Sequence, residues 1–367
     1  MLYNTVSTLG LSRRLQNALG ELQMDMLRRN DEVASGKHHD VAEALGTRTG
    51  RAISLRNLYD QTDEYLKSCT LLQGRLSTMD SAMTNILSAG QDALAYAAIG
   101  LGQPSPTSTS LQVRARGVLE QVVSMLNASS GNGYLFSGVE VKTPPMRPLH
   151  GDGSGLPAPM AIVQDAIAAA TGGPAAPATA AETAAVVATL NDLFAVRDPA
   201  LPLPAPLAHG FEGGMYAGAT ALQPGGAATP RLTARPEGSA EIPYGVQAND
   251  PAPRDLMQGL YMLAAVDTSA LPLDAYQPYM QAAVDRISAG LNGLRNATAQ
   301  LGIQRAQVDE TAERHHTQQK ILTDQINDLE SVDPYEANTR LTQLEAQIEA
   351  TSNATARIAR LRLTNYL

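Results

Sequence analysis

The sequence is poor in large aromatic side chains: its 367 residues include no tryptophan and only three phenylalanines. Hydrophobic residues nevertheless make up 44% of the chain, so the apolar side chains are mainly Ala, Leu, Val and Met. Such side chains suit the narrow apolar interfaces between packed helices better than a thick globular core, which needs larger side chains. The composition therefore favours a mainly α-helical protein.

The chain has one cysteine, Cys69, which excludes an internal disulfide framework and any metal site built from several cysteines. A reactive thiol is one interpretation. Cys69 also lies on a heptad seam that predicts a long helix, and there it is simply a small seam residue. The other members of this seam are Leu58, Thr62, Tyr65, Leu72, Leu76, Met79, Met83 and Ile86.

The chain also lacks an excess of positive charge and any long apolar run. Its net charge of -9 argues against nonspecific binding to nucleic acid, which needs a basic surface. No segment approaches the roughly 20 apolar residues of a membrane span. The first 19 residues have no basic start followed by an uninterrupted apolar block. We therefore expect no membrane insertion and no cleaved signal peptide, so that any export uses another route.

No catalytic or nucleotide-binding motif is recognisable. His38-His39 and His315-His316 are the most plausible metal ligands, but adjacent residues on a helix point about 100° apart, so solvated positions are favoured.

Residues 151–155 (GDGSG) mimic a phosphate loop, although a proline-flanked linker fits better. Asp324, Asp328 and Glu330 indicate a solvated charged face rather than an acid/base pair. We expect no enzyme activity, no cofactor and no metal site.

The C-terminal stretch 333–367 predicts a long helix with one apolar stripe. Asp333, Pro334 and Glu336 form a helix-start signal in which Asp caps, Pro occupies the first position and Glu completes a capping box. Apolar residues then recur at spacings of four and three, as in a coiled coil. Such a stripe needs a partner. A comparable apolar stripe lies in residues 1–35, and the helix predicted there stops at Gly36. The predicted assembly seam comprises Leu15, Leu19, Leu22, Met26, Leu341, Leu344, Ile348, Ile358 and Leu361.

Between the helical ends the character of the sequence changes. Residues 142–253 hold 17 of the 22 prolines, which excludes a continuous coiled coil there. We expect two strands, at 231–235 and 240–246, and an alanine-rich helix at 181–194. The remainder is expected to be loops, or a small loosely specified domain, that contribute little to the helical seams.

The predicted fold is a long antiparallel helical bundle, or coiled coil, formed by both chain ends, with a small irregular β-containing domain inserted between them. The N-terminal arm covers residues 1–140, the insert 141–253 and the C-terminal arm 254–367, and the insert projects from the far end of the bundle. Residues 1–35 and 333–367, the terminal parts of the two arms, are predicted to be the segments that need a partner.

Four stretches resemble the bacterial flagellin superfamily, and within it the hook–filament junction proteins, the third of the hook-associated proteins. They are residues 34–37 (ASGK), 40–50 (DVAEALGTRTG), 133–138 (GYLFSG) and 357–367 (RIARLRLTNYL). The second stretch looks like the alphaproteobacterial form. The Asp-Asp-Pro motif of many relatives is replaced by His38-His39-Asp40.

This resemblance implies a structural subunit of the bacterial flagellum that joins hook to filament. It implies self-association in a helical ring, neighbouring hook-associated protein and flagellin as partners, and a type III export chaperone. The protein would be extracellular, exported without a cleaved signal. A filament subunit of the flagellin type is the alternative. A soluble coiled-coil adaptor or sensor is a third interpretation, from another class of protein.

Overall fold

A computed structural model describes residues 8–102, 108–131, 133–173, 176–238 and 240–364. Its helices are α1 (Thr8–Ser35), α2 (Val41–Leu45), α3 (Thr49–Ile99), α4 (Ser108–Leu126), α5 (Pro159–Thr171), α6 (Ala180–Leu193), the four-residue α7 (Phe211–Gly214), α8 (Pro251–Ala265), α9 (Leu273–Glu330) and α10 (Pro334–Thr364). The strands are β1 (Ser129–Ser130), β2 (Gly133–Tyr134), β3 (Met215–Tyr216), β4 (Thr233–Glu237) and β5 (Ala240–Pro243). The protein is mainly α-helical, with long helices at both ends and a few short strands, as predicted.

The chain divides into two compact units. A terminal unit contains residues 1–64 and 315–367, and a central unit contains residues 65–314. Helices α3 and α9 contribute residues to both. The division of the chain into an N-terminal arm, an insert and a C-terminal arm remains a prediction from the sequence.

The central unit is organised around α8, which is buried on all sides. Leu256, Leu260, Tyr261 and Leu263 are at most 1% exposed. Helix α8 packs against α4 and α5, and α5 packs against α6. A helix buried around its whole circumference lies in the interior of a domain rather than on its surface.

The proline-rich region contributes to this interior, contrary to the expectation from the sequence. Helix α5, within the supposed loops, buries Ile162 and Val163, and Phe211 and Tyr216 are almost inaccessible. The prolines lie at helix starts and in connections, where a missing N–H is tolerated, so they do not prevent the region from packing.

The predicted strand pair is present. Strands β4 and β5 form an antiparallel hairpin, with Thr233 opposite Pro243 and an irregularity before Glu237. The backbone oxygen of Pro236 accepts a hydrogen bond from the Cys69 thiol at 3.8 Å. Cys69 is fully buried, and burial raises the pKa of its thiol. This environment fits the interpretation of Cys69 as a seam residue.

Residues 151–155 form an ordered turn rather than a linker. Arg147, almost completely buried, donates to both carboxylate oxygens of Asp152 at 3.0 Å. Its Nη1 atom also donates to the Gly214 oxygen at 2.6 Å. These charge-assisted hydrogen bonds, chiefly those from Arg147, lower the pKa of Asp152.

Candidate assembly surface

The first and last long helices form an antiparallel pair within the terminal unit. Helix α1 ends at Gly36, whose φ of +69° suits glycine and stops the helix. The N–H of Val332 donates to the Gly36 oxygen at 3.0 Å, and the N–H of His38 donates to the Glu330 oxygen at 2.9 Å. From this junction α1 and α10 run side by side in contact. We call them the terminal helix pair.

The predicted seam residues lie on this pair, and the seven whose side chains are described are only half-buried. Those with described side chains are Leu15, Leu19, Leu22, Met26, Leu341, Leu344 and Ile348. Ile358 and Leu361 belong to α10, but their side chains lie outside the described part of the chain. The helix pair therefore brings the apolar stripes of α1 and α10 together, but it buries their side chains only in part.

Helix α1 carries a second apolar surface that the seam analysis missed. Met24 is 58% exposed and Leu27 is 57% exposed. At 100° per residue, Met24 lies on the side of the helix opposite Leu19 and Leu22, and Leu27 lies on its flank, about 110° from their midpoint. The signal in the sequence was two large apolar residues out of register with the seam.

A buried carboxylate anchors the junction. Glu330 is fully buried, and its Oε1 atom accepts from Nε of Arg56 at 2.7 Å. Its Oε2 atom lies 3.5 Å from Nζ of Lys37. The expectation of a solvated charged face holds for Asp324 and Asp328, which are exposed, but it is wrong for Glu330.

Glu32 fixes the other side of the junction. Its carboxylate accepts from Nη1 of Arg29 at 2.6 Å and from the N–H of His39 at 3.1 Å. Burial alone raises the pKa of Glu32, but these two hydrogen bonds and the nearby positive charges of Arg29 and His38 together outweigh it, and the net pKa lies below the ordinary value. Glu32 is therefore a carboxylate at neutral pH and holds the chain at the point where α1 ends.

The start of α10 follows the prediction in part. Asp333 Oδ1 accepts from the N–H of Tyr335 at 2.8 Å, and Pro334 is the first helical residue. Glu336 does not complete a capping box. Its side chain pairs instead with Arg340, one turn further along, at 2.5 Å. The two exposed side chains make an i,i+4 pair, which competes with the backbone N–H of Asp333 for the Glu336 carboxylate.

In the first histidine pair, each imidazole lies near one carboxylate. His38 Nδ1 lies 3.9 Å from Glu32, and His39 Nδ1 lies 3.7 Å from Asp31. His315 is buried and His316 is exposed. Across the described ranges, no three His, Cys, Asp or Glu side chains converge as metal ligands would. Nor is any described helix both long and apolar enough to cross a membrane.

The two chain ends match known protein families. Residues 6–140 match the bacterial flagellin N-terminal helical region, and residues 284–367 match the bacterial flagellin C-terminal helical region. Together the two matches cover more than half of the chain. The chain belongs to the flagellin superfamily. It is thus a structural component of the flagellum, and the terminal helix pair lies within the two regions that define the family.

A solved structure shows a similar fold. It is that of a Vibrio parahaemolyticus protein described as a flagellar hook-associated protein. The two chains share 10% sequence identity with a TM-score of 0.50, and the similarity covers 78% of this flagellin-family chain and 99% of the other. At this identity the likeness establishes the fold alone. The comparison with curated proteins gave no match.

Proposed function

We propose that this flagellin-family chain forms the junction between the hook and the filament, and that its terminal helix pair is the element that assembles. The observation that carries the proposal is that the pair leaves apolar surface in water on two sides. The described seam residues are half-buried, and Met24 and Leu27 are exposed outside the seam, Met24 on the opposite face of α1 and Leu27 on its flank. An apolar surface that is left exposed to water on a helix pair is a candidate interaction site.

Neighbouring subunits supply the missing burial in this proposal. Copies of the chain form a helical ring, because a head-to-tail contact repeated with a rotation produces such an array. A hook-associated protein and flagellin lie on the two sides of the ring. Before assembly, a type III export chaperone covers the terminal helices, and the subunit leaves the cell without a cleaved signal.

The description of the Vibrio protein as hook-associated supports a hook-associated role over the main alternative. That alternative is a filament subunit, which both family matches favour because they are to flagellin itself. The two functions differ in location: a junction protein occupies a short band at the hook tip, and a filament subunit lies along the whole filament. Immunogold labelling of isolated flagella with an antibody to this chain separates them, and we expect a single band.

Substitutions in the seam test the role of the helix pair. Leu344→Asp or Ile348→Asp should prevent incorporation at the hook tip. An aspartate buried by a neighbour in the assembled state costs several kcal/mol unless it is paired. In the free monomer the same side chain remains half in water. The variant protein should therefore accumulate in the medium, from cells that have hooks but no filaments.

Gln347→Asp is the matched control. It places the same charge on the same helix, at an exposed position next to Ile348, and it should assemble normally. If the Leu344→Asp cells swim like the wild type, the seam is not the assembly surface. Labelling along the whole filament would instead establish the filament subunit.

A further inference from the structure

The charges on the terminal helix pair are segregated along its length. Residues 1–20 contain two arginines and residues 350–367 contain three, and neither stretch contains an Asp or a Glu. We call these residues the arginine end: Arg13, Arg14, Arg357, Arg360 and Arg362. The three with described side chains, Arg13, Arg14 and Arg357, are exposed.

Both groups of arginines lie at the same end of the pair. Arg14 precedes Gly36 by about 33 Å of helix, at 1.5 Å per residue. Arg357 follows Val332 by about 38 Å on the same basis. Because Gly36 and Val332 are hydrogen-bonded to each other at the junction, the two helices carry their arginines to similar distances from it.

The half of the pair near the junction has the opposite charge. Residues 21–35 and 334–349, the acidic half, contain seven carboxylates and three arginines. The three arginines are already paired, Arg28 with Asp25, Arg29 with Glu32 and Arg340 with Glu336. Outside these pairs, the acidic half presents four exposed carboxylates: Asp31, which lies 3.7 Å from His39 Nδ1, and Glu21, Glu345 and Glu349.

This distribution does not stabilise α1 itself. A helix gains from acidic residues in its first turn and basic residues in its last turn, because of its macrodipole. Helix α1 has neither, and Glu32 lies in its last turn. The macrodipole therefore does not account for the exposed charges of Arg13, Arg14 and Glu21 on α1, and an intermolecular role is favoured for them.

We propose that the arginine end of one copy docks on the acidic half of a second copy, with the two helix pairs staggered along their length. This inference rests on the proposed function and names the contact that sets the register of the assembly. Each copy carries both surfaces, so the contact is head-to-tail and repeats from copy to copy. The exposed charges steer the approach, and salt weakens the contact because the screening length is about 10 Å at 0.1 M ionic strength.

A charge-swap experiment in cells that lack the native gene tests the docking. The first variant reverses the arginine end (Arg13→Glu, Arg14→Glu and Arg357→Glu). The second reverses the acidic half (Glu21→Arg, Glu345→Arg and Glu349→Arg). All six positions are exposed, so circular dichroism and thermal unfolding of each purified variant should match the wild type.

Each variant alone should be exported but incorporated about tenfold less than the wild type, since like charges then face each other at several positions. Coexpression should restore incorporation, because each reversed surface then meets its complement on the other variant. Exported protein in the medium is measured separately from protein on isolated flagella.

Normal assembly of either single variant would overturn the docking. So would failure of coexpression to restore assembly, which would mean that the arginine end meets a different protein or another anion. Both results leave the proposed function intact, provided that immunogold still places the wild-type chain at the hook tip. Absence of the wild-type chain from flagella would instead remove the proposed function.

Discussion

The central unit and the terminal unit bury their apolar side chains to very different degrees. In the central unit six large aromatic side chains are fully buried: Phe136, Phe211, Tyr216, Tyr261, Tyr276 and Tyr279. Among the described residues of the terminal unit, the buried apolar side chains are Leu45, Ala52, Leu55, Leu322 and Ala337. None of these is aromatic.

The central unit therefore buries its apolar side chains within one chain, whereas the terminal unit does so only in part. The central unit obtains its stability from one continuous apolar cluster, from Leu66 to Ala312. The terminal helix pair has a thin seam that remains half in water. Since most helical stability in proteins comes from packing of an apolar face, the pair should be marginal alone and should gain stability when a neighbour covers it.

The strongest test of the comparison removes a buried charge partner in the central unit. Glu212 pairs with the buried guanidinium of Arg254. Glu212→Ala should lower the free energy of unfolding by about 3–5 kcal/mol, because it removes the carboxylate paired with the buried Arg254 and leaves that guanidinium bonded to backbone oxygens. Urea denaturation followed by far-UV circular dichroism measures the effect.

Glu241→Ala is the control for Glu212→Ala. Glu241 pairs with Arg235 on the exposed hairpin, where an ion pair contributes about 0–1 kcal/mol. Equal losses for the two substitutions would show that the Arg254 site is open to water.

Truncation of one leucine in each unit tests the contrast in burial directly. Leu294 is inaccessible in the central unit, whereas Leu22 is half-buried on α1. Leu294→Ala should cost about 2–5 kcal/mol, and Leu22→Ala should cost about 1 kcal/mol or less in the free monomer. Hydrogen exchange should show weak protection in α1 and α10 and strong protection in residues 72–86. Uniform protection along the chain would contradict the comparison.

A third test concerns close packing between helices of the central unit. A Cβ atom at Gly290 of α9 would lie 2.4 Å from the Leu256 nitrogen and 2.7 Å from its Cα on α8. Gly290→Ala should therefore cost about 1–3 kcal/mol, because backbone must move. Gly302→Ala, on the same helix with nothing within 4 Å, should instead stabilise by about 0.5–1 kcal/mol. Thermal unfolding of the two variants measures both changes in stability. A stabilising effect of Gly290→Ala would show that α8 and α9 are further apart than these distances indicate.

The smallest expected effect is the pH dependence of the terminal unit. The folded-state pKa of Glu32 lies below its ordinary value of 4.5. Its contribution to stability is therefore present above about pH 4.5 and is lost as the pH falls through the folded-state pKa. Hydrogen exchange in α1, followed between neutral and acidic pH, should show this loss. Glu32→Gln should flatten the profile, and an unchanged profile would assign the acid sensitivity to another group.

Periodicity predicted the regular elements well. The long helix predicted from the seam of Cys69 is α3, Thr49–Ile99, and the helix expected at 181–194 is α6, Ala180–Leu193. The strands at 231–235 and 240–246 differ from β4 and β5 by a few residues at their ends. These elements depend on neighbours a few residues away, so their pattern is visible in the sequence.

Helix α5 was missed because its sequence is apolar on almost every side. Its residues read PMAIVQDAIAAAT, without the alternation of polar and apolar faces that marks a surface helix. The surrounding prolines and glycines made a loop the simpler prediction. Only the burial of Ile162 and Val163 in the core shows why such a segment forms a helix.

The sequence by itself determined the helical class, the two apolar stripes at the chain ends and the stop at Gly36. Local spacing, capping and backbone freedom are enough for these features. Only the tertiary structure decided that Glu330 is buried, since its partners Lys37 and Arg56 come from the opposite end of the chain. The interior position of the proline-rich region was likewise decided by packing. Contacts between distant segments leave no periodic signal, and whether a charge lies in water or among partners depends on them.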